Sequence, residues 1–118
     1  MSDKVNLAEK LAAFDEPFQP KIVASYNDNK VQVTKVRGPF VWHSHPDTDD
    51  LFLVLSGRLV IELRDREVML EAGELFVAPR GVEHRPRAEG EAHVLLIEPR
   101  GTPNTGDAAA PPAPEVEI

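Results

Sequence analysis

The chain has 118 residues, is 42% hydrophobic and carries a net charge of −7, which suits one compact domain and argues against a nucleic-acid partner, because phosphate contacts need a local excess of Lys and Arg. It has no cysteine, so a disulfide scaffold, a thiolate metal site and thiol catalysis are excluded, and any metal ligands must be imidazole nitrogens and carboxylate oxygens. Met1-Ser2-Asp3-Lys4 lacks the basic start and apolar run of a leader, and no segment has the length to cross a bilayer; the expectation is a cytoplasmic protein with a small-molecule partner and no membrane partner.

From Asp3 to Phe14, Leu7, Leu11 and Phe14 recur at three- and four-residue spacing, which predicts one short amphipathic helix ended by Pro17 and Pro20. Residues 1–20 are therefore read as a helix and lead-in. Short β-type runs follow at Lys21 to Ser25, Lys30 to Val36, Phe40 to His45, Leu51 to Leu55, Leu59 to Arg64, Glu67 to Leu70, Leu75 to Ala78, His84 to Arg87 and His93 to Glu98. Turn residues separate them, among them Asn27-Asp28-Asn29, Gly38-Pro39, Ser56-Gly57, Pro79-Arg80-Gly81 and Glu89-Gly90. Many short strands at close spacing predict an all-β sandwich or barrel over residues 21–100. Leu59, Ile61 and Leu63 alternate with Val60, Glu62 and Arg64, as in a sheet with one wet face. Leu51 to Leu55 and Val94 to Ile97 are apolar on both faces, so a helix, a second sheet or a partner must cover the outer one, and a homodimer is the expectation. Residues 101–118 are rich in Pro and Ala and are read as a flexible or loosely docked tail.

His43 and His45 flank Ser44 in a β-type run, and the period of two puts both imidazoles on one face, close enough to share a metal ion. Pro46 to Asp49 form a polar turn, after which Asp50 opens an apolar strand and returns beside the histidines. Asp49 is the substitute if that hairpin shifts by one residue, since alternation sends the two aspartates to opposite faces. A third histidine, His84, follows the turn at Pro79-Arg80-Gly81.

These residues fall into two ordered motifs, Gly38, His43, His45, Asp50 and Gly57, then Gly73, Pro79, Gly81 and His84. Together they closely resemble the two motifs of the cupin family, over about Phe40 to Pro99. The resemblance implies a double-stranded β-helix (jelly-roll) barrel, preceded here by the short N-terminal helix, with one divalent transition-metal ion (Mn, Fe, Ni, Zn, Co or Cu) held inside by His43, His45, Asp50 and His84. The chain departs from the family pattern at Asp50, where glutamate is usual and one methylene longer, and at Ala88, where asparagine is frequent. Cupins include dioxygenases, isomerases and decarboxylases, so the resemblance implies a metal-dependent enzyme acting on a small organic molecule without choosing the reaction. A protein that binds a sugar or organic acid without changing it is the alternative, and an interaction module is a third reading.

Other candidates have plainer readings. His93 is expected as a hydrogen-bonded histidine at the core edge, and Trp42 and Phe40 on the face opposite His43 as core or interface residues. Phe52 and Val54 share the face of Asp50 and are expected to fill the barrel or line a pocket. Arg80, Arg85 and Arg87 are expected as solvated surface charges rather than an anion clamp.

Overall fold

The structure, a computed structural model, describes residues 3–118. Asn6 caps the helix, accepting from the Glu9 N–H at 3.1 Å, so α1 runs only from Leu7 to Ala12. It is shorter at both ends than the periodicity predicts, because a capping side chain satisfies the first free N–H groups and fixes where the helix begins. Eight strands follow: β1 (Lys21–Tyr26), β2 (Asn29–Pro39), β3 (Asp50–Ser56), β4 (Arg58–Leu63), β5 (Glu67–Glu71), β6 (Leu75–Ala78), β7 (His84–Pro99) and β8 (Val116–Glu117).

All eight strands join one sheet, and β7 organises it. One edge of β7 pairs antiparallel with β2 along almost its whole length. Its other edge is divided: His84 to Arg87 pair with β4, and His93 to Ile97 pair with β3. The turn expected at Glu89-Gly90 is a bulge inside this strand, where the partners step from Arg37↔Glu91 to Gly38↔Ala88. Extra residues in one strand increase its bend and twist, and here the bend lets one strand serve both halves of the barrel.

The barrel interior is packed by Phe52, Val54, Leu59, Ile61, Val94 and Leu96, with smaller residues between them. A second cluster lies outside, where Leu7, Leu11 and Phe14 pack on Val23, Val33 and Leu55. The helix thus supplies part of the outer cover that the two-sided apolar strands require. Gly57 alone separates β3 from β4 and has φ +78°, and a Cβ there would lie 2.4 Å from the Glu91 carbonyl oxygen. Only glycine fits a backbone this close to its neighbour.

The run from Phe40 to His45 is not a strand. It is held by separate backbone bonds, Phe40 N–H to Pro86 O at 2.9 Å and a reciprocal His43–His84 pair at 3.1 and 2.9 Å. Strict alternation therefore fails between Phe40 and His43. The segment after Pro99 returns across the barrel: Thr105 is buried, and β8 pairs parallel with β1 through Lys21↔Val116 and Ile22↔Glu117. No helix among the described residues is long and apolar enough to cross a membrane.

Candidate metal centre

The reciprocal backbone pair between His43 and His84 brings the two sequence motifs together. A further bond, Gly81 N–H to His45 O at 2.9 Å, ties the second histidine to the turn before the third. Asp50 pairs with Ala78 at the start of β3. Alternation along that strand buries Asp50, Phe52 and Val54 on the inner face. Asp49 is exposed and accepts from the Arg80 N–H at 2.9 Å, outside the site. Of the two aspartates, only Asp50 meets the histidines.

His43, His45, Asp50 and His84 are all buried, and one ligand atom from each lies within 4.8 Å of every other. The His43–His84 and His43–His45 ring centroids are 4.4 and 5.0 Å apart. Nδ1 of His43 donates to Val41 O at 2.9 Å and Nδ1 of His84 to Val82 O at 3.0 Å. A carbonyl only accepts, so each Nδ1 carries the proton and each Nε2 presents its lone pair to the centre. Burial pushes the His43 imidazole down to about 4 against the opposing pull of the Val41 carbonyl, and burial lowers His84 as well. Both rings are therefore neutral at pH 7, the form that binds a metal.

Three buried polar atoms at this point make no hydrogen bond: Nε2 of His45, Nε2 of His84 and Oδ1 of Asp50. His45 Nε2 does approach Asp50 Oδ2 to 3.3 Å, but without hydrogen-bond geometry. Buried polar groups are otherwise almost always satisfied, because each one left unpaired costs about 1–3 kcal/mol. Unpaired buried atoms converging from imidazoles and a carboxylate match the donor set of a divalent transition metal.

Other residues reach this region without having been singled out in the sequence. Glu98 is buried, and the Gln32 amide donates to it at 3.2 Å. Burial and the neighbouring Asp50 push its carboxyl up to about 8; Lys30 pulls the other way, weakened because its ammonium lies 3.5 Å from Glu98 but 2.7 Å from Glu115. Alternation held the signal, since Glu98 follows Val94 and Leu96 on the inner face of β7. Asp107 fastens the segment between the first two histidines: its Oδ1 accepts from Ser44 N–H at 2.7 Å and its Oδ2 from Ser44 Oγ at 2.8 Å. Gly106 beside it has φ +54°, and a Cβ there would lie 2.3 Å from Ser44 O and 2.9 Å from His43 Cδ2. No local pattern in the Pro/Ala-rich segment pointed to this contact.

Phe40 differs from its expected placement. Its ring stacks on Phe18 at 4.9 Å and meets the His43 ring edge-on at 5.5 Å, so it lies beside the site rather than opposite it. Trp42 lies under the Arg64 guanidinium at 3.8 Å. His93 bonds to Glu91 at 2.8 Å on the outer face. Arg85 and Arg87 pair with Glu62 and Glu67, while Arg80 is exposed.

The family model described as cupin domain matches residues 30–98. Over 77 residues the chain is 39% identical to the uncharacterized protein YdbB of Bacillus subtilis (strain 168), covering 64% of this chain and 68% of that one. It is 33% identical over 91 residues to 3-hydroxyanthranilate 3,4-dioxygenase of Jannaschia sp. (strain CCS1), covering 70% of this chain but only 50% of the dioxygenase. The crystal structure of a cupin-2 domain containing protein from Shewanella frigidimarina NCIMB 400 superposes with a TM-score of 0.81 at 44% identity, over 81% of this chain and 94% of that one.

Proposed function

Given that the chain belongs to the cupin domain family, we propose that it is a metal-dependent enzyme acting on a small organic molecule, with one divalent transition-metal ion held by His43, His45, Asp50 and His84. The observation that carries this reading is the set of buried polar atoms of His45, Asp50 and His84 that make no hydrogen bond and lie close to one another. A core filled only for stability has no reason to keep three such atoms unsatisfied.

The chain's own residues hold and orient. Val41 O and Val82 O fix the tautomers of His43 and His84, and Asp107 holds Ser44 between the first two ligands. Apolar side chains beside the donors, Phe40 and Phe52 among them, keep bulk water away and leave room for a substrate. A bound ion supplies Lewis acidity or, if redox-active, oxygen activation. Similarity to a dioxygenase supports the oxygen-dependent member of the set of cupin reactions, and isomerase and decarboxylase chemistry use the same donors.

Elemental analysis of protein purified without an affinity tag or added metal, run beside His43→Ala, tests the reading. Near-stoichiometric Mn, Fe, Ni, Zn, Co or Cu that disappears in the variant is the expected result. Wild-type protein that carries no metal and binds none on titration would overturn the enzyme reading in favour of capture of a small molecule without chemistry.

A further inference from the structure

Beside two of the four donor side chains, His43 and Asp50, lies a cavity that leaves ≈ 50 Å³ for the centres of water molecules. One water needs about 10–15 Å³ of such space, so the cavity holds roughly four waters, whose share of the liquid is about 120 Å³, the size of a single six-membered ring. Its polarity is graded along two strands. The residues lining it run Asp50 then Phe52 along β3 and Glu98, Leu96, Val94 along β7, so each of these strands presents one carboxyl group and then only hydrocarbon. Phe18 and Phe40 form a stacked aromatic wall, 4.9 Å between centroids, and Phe18 is held at φ +61°. A bulky residue in the left-handed region is uncommon enough to suggest that its ring position matters.

Charge narrows the ligand further. No Lys or Arg lines the cavity among the described residues. The buried Lys30 is taken up by Glu115, Glu98 and the Thr102 carbonyl, and Arg85 and Arg87 are paired with Glu62 and Glu67 on the outer face. Of the other polar residues lining the cavity, Thr34 donates to the Lys35 carbonyl and Asn104 to that of Phe18, so an anionic group on the body of a ligand would be buried with no cationic partner, which strongly disfavours binding. Aromatic walls, by contrast, gain offset or edge contacts with a ring.

We infer that the ligand class is a small, single-ring hydroxylated molecule carrying no carboxylate, phosphate or other anionic group on its body, with its hydroxyl directed to the end formed by His43, Asp50 and Glu98. The direction of the hydroxyl rests on the metal reading above; the exclusion of a body charge does not. It follows that organic acids and sugar phosphates are poor ligands.

Calorimetric titration with p-cresol and with 4-hydroxybenzoate, on both metal-stripped and Co²⁺-loaded protein, tests the inference. The expected result is p-cresol binding in both forms, with 4-hydroxybenzoate about 30-fold or more weaker, since an unpaired buried charge costs at least this factor. Equal or tighter binding of 4-hydroxybenzoate, or no binding of either compound to either form, would overturn it. Phe40→Arg, which adds a cation to the cavity wall, should narrow the gap to a few-fold, and a gap unchanged in a folded variant counts against the charge argument. In the Co²⁺ form, p-cresol should alter the visible absorption bands; unchanged bands would overturn the hydroxyl's direction. Protein that takes up no cobalt yet prefers p-cresol sinks the metal reading and keeps the inference about body charge.

Discussion

Replacing His84 by Ala removes one of four donor atoms that lie within 4.8 Å of one another, whereas replacing His93 removes a ring that bonds to Glu91 on the outer face. Structural sites for Zn²⁺ are worth roughly 10–16 kcal/mol over four donors, so one donor is worth about 3–4 kcal/mol, or 10²–10³ in Kd. At free metal 100-fold above the wild-type Kd, binding to the folded state alone adds about 2.7 kcal/mol of stability. With Kd raised 100-fold or more, His84→Ala gains at most about 0.4 kcal/mol from the same metal. For a domain of this size 1 kcal/mol moves Tm by about 3–6 °C, so wild type should shift by about 8–16 °C and His84→Ala by no more than about 1–2 °C. His93→Ala should keep the full shift. Each protein is its own reference, melted with and without metal, so any change in metal-free stability from filling or emptying the His84 site cancels. A His84→Ala variant that retains more than half of the wild-type shift, or a His93→Ala variant that loses it, refutes the assignment.

Asp107→Ala should weaken metal binding about 10-fold while leaving the far-ultraviolet circular dichroism unchanged, since groups that orient ligands typically contribute 10–100-fold; competition against a chromophoric chelator measures it, and unchanged affinity would assign Asp107 to tail docking alone. Gly57→Ala should lower the urea midpoint by the equivalent of about 2 kcal/mol or more, as its Cβ would meet backbone at 2.4 Å in a region disfavoured for side chains. Stability of the metal-free protein should depend on pH in two opposed ways. His43 titrates at about 4 when folded and near 6.5 when unfolded, so the unfolded chain binds more protons in that window and stability is lost as pH falls through it, by up to about 3 kcal/mol. Glu98 is raised from 4.5 to about 8, so its contribution is full below 4.5 and is lost as pH rises through 8. Between about pH 4.5 and 6.5 the two slopes oppose each other, so urea midpoints should change little there, decline below about 4.5 and decline again as pH rises from about 6.5 to 8; a monotonic rise from pH 4 to 9 would show that Glu98 ionises normally.

Legibility in the sequence followed the range of the interaction. Strands that bury one inner face showed it by alternation, as Leu59, Ile61 and Leu63 do in β4. The helix was visible in Leu7 and Leu11, though its start depended on the Asn6 cap. Asp50 rather than Asp49 followed from alternation once β3 was located. Phe40 to His45 failed as a strand because its backbone bonds are made singly to Pro86 and His84 rather than along a ladder.

The β2 strand separates the two kinds of information. Its alternation is plain, but Val31 and Val33 face the helix while Lys30, Gln32 and Thr34 face the barrel interior. A hydrophobic-inside rule turns that strand the wrong way round, because which face becomes the interior depends on what packs against each side. His43, His45, Asp50 and His84 were marked together by the resemblance to the two cupin motifs; the HxH spacing alone was a weak signal, and no local geometry tied His84 to it, since the two meet only through the His43–His84 backbone pair. Placing Glu98 opposite Lys30, bringing Phe18 onto Phe40, and folding Asp107 back onto Ser44 all required contacts between residues 22 or more positions apart. No local propensity encodes such contacts, and they form only when the whole barrel closes.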